Sequence, residues 1–136
     1  RNVDFQGEAK KNSVIGKAGE DAVVEFERNR LKHAGRADLA DKVIVTRETI
    51  GNTAKFDVLS FDTEGNEIYI EVKTTTGAAS NKIHISEAEV WFSEQNSERY
   101  YLYRVYNFDH ITGKGDIYIK KGAIKREELT PTNYVF

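Results

Sequence analysis

Two carboxylates and a lysine hold the most chemical promise in this chain. Asp57 lies within Phe56-Asp57-Val58-Leu59, and Glu71 and Lys73 lie within Ile70-Glu71-Val72-Lys73. Residues 56–62 and 67–75 are rich in β-branched and aromatic types and read as two strands. Between them, Thr63-Glu64-Gly65 forms a three-residue hairpin loop with glycine at the left-handed position. If Asp62 pairs with Asn66, the ladder places Asp57 directly opposite Glu71. Side chains alternate along a strand, so Lys73 shares their face while Val58, Ile68, Ile70 and Val72 take the other. Like charges facing each other among apolar neighbours destabilise a sheet unless a cation sits between them. Magnesium suits that place, with manganese as a substitute, because it takes hard oxygen ligands and keeps several waters. Two carboxylates, a backbone carbonyl and water would complete its shell. Lys73 beside the ion would hold an attacking water or neutralise charge developing on a phosphate, which is what phosphodiester hydrolysis requires. Glu-x-Lys is a common surface pattern on strands; the apolar flanks of Asp57 and Glu71 set this one apart from a solvated edge.

Other elements must hold that hairpin in place. Ile15, Ala18, Ala22, Val23, Phe26 and, less regularly, Leu31 recur at helical spacing and predict a first helix over residues 14–31. Gly16 and Gly19 within it each cost about 1 kcal/mol of helix propensity, so each calls for a reason such as close approach of a strand or ligand. A loop through Gly35 leads to a short strand at residues 43–45. Ile83 and Ile85 suggest a brief strand, and Ser86 with Glu89 makes a capping box that opens a helix through Trp91 and Phe92. Residues 100–108 and 117–119 read as strands around a turn at Gly113 and Gly115, followed by a short helix over 123–129 and an extended end at 134–136. The expected order is helix, three strands, helix, two strands: an α/β sandwich around a mixed sheet.

At 136 residues the chain is one domain long, residues 1–136. Its balance of hydrophobic and charged residues excludes disordered and collagen-like classes. No run approaches the roughly eighteen apolar residues of a membrane span, and no signal segment opens the chain, so a soluble, intracellular domain with no membrane partner is expected. Absence of cysteine excludes disulfides, thiolate zinc sites and cysteine nucleophiles, and fits a reducing compartment such as the cytoplasm. An opening Arg1 and the lack of any methionine imply a processed chain or a segment of a larger protein. The net charge of −2 conceals an uneven layout. Residues 55–98 carry three Lys or Arg against nine Asp or Glu, whereas 99–136 carry seven against four. An acidic centre beside a basic flank suits a cation site near an anionic polymer, and equally an ordinary mixed surface.

Five blocks in order resemble the NO VEIN C-terminal domain family: Gly16-Lys17-Ala18-Gly19-Glu20, Phe56-Asp57-Val58-Leu59-Ser60, Ile70-Glu71-Val72-Lys73-Thr74-Thr75, Ile85-Ser86-Glu87-Ala88-Glu89 and Tyr101-Leu102-Tyr103-Arg104-Val105. The likeness spans about residues 14–136. That family in turn resembles the PD-(D/E)XK nuclease superfamily. The resemblance implies a restriction-endonuclease-like α/β fold, with an αβββαβ core whose mixed central sheet is flanked by helices. It implies a metal-dependent nuclease with metal ligands at Asp57, Glu71 and the Val72 carbonyl, a catalytic lysine at Lys73, and an accessory catalytic acid at Glu20. The implied cofactor is Mg2+, with Mn2+ able to replace it, and the implied partner is DNA. Family members commonly end larger proteins, including ATPases and restriction-type proteins, so further domains and a defence or restriction context are expected; a homo-oligomer stays open. This chain departs from the pattern at Lys55, where glycine often stands, and lacks the proline of the superfamily's name.

Several residues have two readings. Glu89 is first a capping residue and secondly a group near the metal. His33 and His110 read as loop residues, His84 could face the cleft, and no histidine pair has zinc-ligand spacing. Tyr101, Tyr103 and Arg104 could contact nucleic acid or simply pack across strands. Lys114, Lys120, Lys121, Lys125 and Arg126 are candidate phosphate contacts or solubilising surface. Two rival functions remain beside the DNA endonuclease: a DNA-binding module that does not cut, and a protein-interaction domain of a large ATPase.

Overall fold

The computed structural model describes residues 5–49 and 51–130. Helix α1 spans Phe5–His33, followed by a one-turn helix α2 at Ala37–Ala40, strand β1 at Ile44–Val45 and a one-turn helix α3 at Thr46–Thr49. Strands β2 (Val58–Phe61) and β3 (Glu67–Thr74), helix α4 (Glu87–Gln95), and strands β4 (Tyr100–Asp109) and β5 (Lys114–Lys121) complete the order. The strands form a mixed five-stranded sheet in sequence order. All neighbours are antiparallel except β3 and β4, which run parallel because α4 carries the chain back between them. Helix, three strands, helix, two strands is the expected architecture. The extended end expected at 134–136 lies outside the described residues.

The β2–β3 hairpin has the expected register. Val58 pairs with Ile70, Leu59 with Tyr69, Ser60 with Ile68 and Phe61 with Glu67. Gly65 takes φ 94°, a left-handed conformation that a β-carbon would strain. The Asp62 carboxylate accepts the Glu64 and Asn66 amides at 2.9 Å and so closes the loop from inside. The Asp62 amide also donates to the Asn66 carbonyl at 2.9 Å, the pair that sets the ladder.

One face of the sheet packs on α1. Ile15, Val23, Val24 and Leu31 of the helix meet Val58, Ile68, Ile70, Val72, Tyr103 and Val105. The buried stripe of α1 differs from the expected one at a single turn: Phe26 is 39% exposed and Glu27 is fully buried. Glu27 tolerates burial because its carboxylate accepts from Arg30 at 2.6 Å, Ser60 Oγ at 2.7 Å and Tyr103 Oη at 2.6 Å, so the charge is paired and its lone pairs are used. Gly19 lies against Thr74 so closely that a β-carbon would collide with its side chain. Gly16 has nothing within 4 Å, so only one of the two helix glycines is a packing requirement.

The opposite face packs on α4 through aromatic rings. Phe92 lies 5.7 Å from Phe56, 5.8 Å from Tyr69 and 6.1 Å from Tyr100, spacings typical of stacked and edge-on pairs. The helix opens with the full capping box: Ser86 Oγ accepts the Glu89 amide at 3.1 Å, and Glu89 accepts the Ser86 amide at 2.9 Å. Two expected elements do not form. Residues 83–85 are loop and pair with no strand of the described sheet, and residues 123–129 hold only a 3-10 turn at Arg126–Glu128.

Candidate functional site

The hairpin register and the parallel crossover converge on one patch of the α4 face. Asp57 sits one residue before β2, its amide bonded to the Ile70 carbonyl at 2.9 Å and its own carbonyl accepting the Thr46 amide at 2.9 Å. Those two bonds pin its backbone opposite Glu71. Its Oδ2 accepts the Val72 amide at 2.8 Å, so the carboxylate reaches across to β3. Glu71 extends from β3 onto the same face, 6% exposed, and is hydrogen-bonded to Asp57. Lys73, two residues on, places its ammonium 3.6 Å from Glu71 and 3.0 Å from Glu89 of α4.

The electrostatics follow from this crowding. Burial, then the hydrogen bond and charge of Asp57, then the charge of Glu89 push the Glu71 carboxyl up to about 10, and Lys73 only partly opposes them. At neutral pH Glu71 therefore holds a proton. Burial raises Glu89 too, but the Ser86 amide and Lys73 more than offset it and hold that carboxyl below its ordinary range. Glu89 thus serves both as cap, as its position suggested, and as ion-pair partner of Lys73.

The donor chemistry fits a divalent cation. Asp57 and Glu71 supply hard oxygens, and the burial and neighbouring carboxylates that raise Glu71 mark where a positive charge is wanted. Among the described residues no group of three or more His, Asp or Glu gathers as a metal cluster. The protein's share of an ion's shell would be the two carboxylates and a backbone oxygen such as that of Val72, a small set of the kind magnesium accepts.

Glu20, the other carboxylate expected at the site, is paired with Arg47 instead. Arg47 directly follows Thr46, which bonds the Phe56 and Asp57 carbonyls, so the Glu20 pair buttresses the strand end that carries Asp57. His84 is exposed on the loop after β3. His33 ends α1 and is exposed, and His110 is exposed in the turn after β4.

The basic candidates do not share one face. Lys114 and Lys120 stand at opposite ends of β5, about 20 Å apart along the strand. Lys120 and Lys121 alternate across the sheet, with Lys121 lying over the Tyr101 ring. Arg126 is held by Glu87 at 2.8 Å and Glu94 at 3.0 Å on the outer side of α4. Lys125 precedes the 3-10 turn and is exposed.

Two further residues neighbour the site: Tyr100, which sequence reasoning missed, and Arg104, which it offered as a nucleic-acid contact. Tyr100 is 1% exposed, and its hydroxyl has no hydrogen-bond partner among the described residues. Burial, then the charges of Glu71, Glu89 and Asp57, raise it well above the ordinary phenol range, which places it beside the carboxylates. Arg104 pairs with Lys73 across the parallel ladder and so shares the Glu71 face. Tyr101 and Tyr103, grouped with Arg104 in the sequence, point to the α1 side, where Tyr103 bonds Glu27. Strand alternation was the available signal for that separation, but it needed the β3–β4 register to become specific. A separate open groove of about 470 Å3, lined by Asp21, Arg28, Lys32, Val45 and Glu48 among others, includes none of the cluster.

A mixed α/β domain with an acid–acid–lysine cluster on one sheet face, its central glutamate buried, is therefore the class of protein that fold and site define. The family model described as Protein NO VEIN, C-terminal matches residues 19–119, and the chain belongs to that family. The match takes in Asp57, Glu71, Lys73, Glu89, Tyr100 and Arg104. No curated protein and no solved structure matches the chain. Among the described residues no helix is long and apolar enough to cross a membrane.

Proposed function

We propose that this domain is a magnesium-dependent endonuclease that hydrolyses phosphodiester bonds in DNA, as the nuclease part of a larger restriction or defence protein. The observation that carries the reading is the meeting of Asp57 and Glu71 on one sheet face, with Glu71 buried and Lys73 beside them. A fold gains no stability from such a pair, so its natural complement is a cation. Asp57, Glu71 and the Val72 carbonyl would hold it. The chemistry a divalent ion supplies at such a site is neutralisation and polarisation of a phosphodiester. Lys73 would leave Glu89 and donate to the attacking water or to a phosphate oxygen, while Glu89 keeps α4 capped. Buried Tyr100, packed on Phe92, lowers the local polarity beside the carboxylates, which strengthens these contacts.

The test is nicking of supercoiled DNA and binding of one duplex at fixed salt, with the wild type and Lys73→Ala compared in magnesium and in EDTA. Lys73 acting in the transition state predicts a cleavage rate lower by orders of magnitude with affinity nearly unchanged. A wild type that binds but never cuts in magnesium, even with its partner domains restored, would instead make this a DNA-binding module of the same fold.

A further inference from the structure

We propose that Arg104 is a phosphate-binding residue, seating a phosphate group beside Lys73 on the face that carries Asp57 and Glu71. The proposal deepens the nuclease reading and rests on it for the identity of the phosphate as part of a nucleic-acid backbone. Arg104 lies in β4 with Lys73 as its ladder partner on one side and Tyr118 of β5 on the other. Neighbours across a ladder stand about 5 Å apart with side chains on the same face, so two cations flank one another next to the carboxylates. The residue is only 2% exposed. Nevertheless it has no carboxylate within ion-pair distance among the described residues, unlike Arg30, Arg36, Arg47 and Arg126, each of which is paired.

A guanidinium stays charged inside a protein, and a buried charge is costly unless an anion or a full set of hydrogen bonds compensates. Arg104 has neither. Its Nη2 donates to the Asn81 carbonyl at 3.1 Å, while its Nε is buried with no partner. Of its five donors, one meets a protein acceptor and the Nε–H is buried without one. The fold can satisfy a buried charge, as Glu27 shows on the other face with three partners. Leaving Arg104 short of an anion is thus a local exception, placed where a phosphate would be needed. A planar fork of N–H donors matches two oxygens of one phosphate, whereas Lys73 supplies a movable point charge. Arg104 orients the phosphate, and Lys73 answers the charge that develops on it. The loop after β3 reaches Arg104 through the Asn81 carbonyl.

The experiment uses the wild type, Arg104→Gln and Arg104→Lys, with inorganic phosphate and a short DNA duplex as separate probes. Calcium replaces magnesium so that binding is read without cleavage. Inorganic phosphate should raise the melting temperature of the wild type and leave Arg104→Gln unmoved, while the unliganded variant melts no lower than the wild type because an uncompensated charge has gone. Duplex affinity should fall roughly tenfold in Arg104→Gln, with the salt dependence shallower by about one unit of slope. Should that variant fail to fold, Arg104→Lys decides: lower affinity at unchanged slope supports the proposal, and unchanged affinity overturns it. A phosphate response with no duplex binding would keep the anion site and assign it to a free phosphate compound, at the expense of the nuclease reading. Cleavage of DNA by the wild type in magnesium, together with wild-type affinity and slope in Arg104→Gln, would overturn the Arg104 proposal and leave the nuclease standing. No response of the wild type to either probe would overturn the anion site outright.

Discussion

Replacing Glu71 by glutamine should stabilise this protein, although Glu71 lies at the centre of its candidate site. The carboxyl is pushed from an ordinary 4.5 up to about 10 by burial first and by Asp57 next. At neutral pH the folded chain therefore holds a proton that the unfolded chain has released, so folding takes up a proton and stability falls as pH rises. The loss begins near pH 4.5, where unfolded Glu71 ionises, and stops growing near 10, where the folded group ionises as well. Each pH unit within that window is worth about 1.4 kcal/mol, so the cost by pH 7 is of order 3 kcal/mol. The glutamine side chain is a neutral isostere that can keep donating to Asp57 with no linked proton. Glu71→Gln should then match the wild type near pH 4 and exceed it by about 1–3 kcal/mol at pH 7, roughly 3–10 °C in melting temperature for a chain of this length. Urea unfolding from pH 4 to 9 in EDTA measures this directly, since the chelator removes any ion that would neutralise the pair instead. Parallel pH profiles, or a variant less stable than the wild type at pH 8, would refute the account of Glu71 as a protonated carboxyl.

Magnesium at a hundred times its dissociation constant should stabilise the wild type by about 2.7 kcal/mol, and Asp57→Asn should abolish the shift; equal shifts in both proteins would place the ion elsewhere. Gly16→Ala should raise stability by about 1 kcal/mol, whereas Gly19→Ala should lower it by about 1–3 kcal/mol because its β-carbon meets Thr74. Thermal unfolding of the two side by side checks the α1–β3 contact, and a stabilising Gly19→Ala would mean that the helix sits farther from the strand. Tyr100→Phe removes an unpartnered buried hydroxyl and should leave stability unchanged or up to about 1 kcal/mol higher. A loss above about 1 kcal/mol on unfolding would show that the phenol has a partner in solution.

Local chemistry made much of this protein readable in advance. The Asp62–Asn66 closure and Gly65 determine the hairpin, and a period of two then dictates that Asp57, Glu71 and Lys73 share a face, because one residue of slip would expose Ile68, Ile70 and Val72. Ser86 and Glu89 likewise determine where α4 starts, since a capping box is complete within four residues. Long-range pairing decided the rest. Glu27 is buried only because Ser60 and Tyr103, distant in sequence, meet it, and no periodicity of hydrophobic residues would place a glutamate in the core. Arg126 looked like a free cation until α4 brought Glu87 and Glu94 to it, and only the fold shows that Glu20 meets Arg47. The β3–β4 register set Arg104 beside Lys73 and turned Tyr101 and Tyr103 away, and α4 brought Glu89 onto Lys73. A residue's charge and its strand parity are properties of the chain. Which charges remain unpaired depends on what the other strands and helices bring within a few ångströms, and that only the tertiary structure decides.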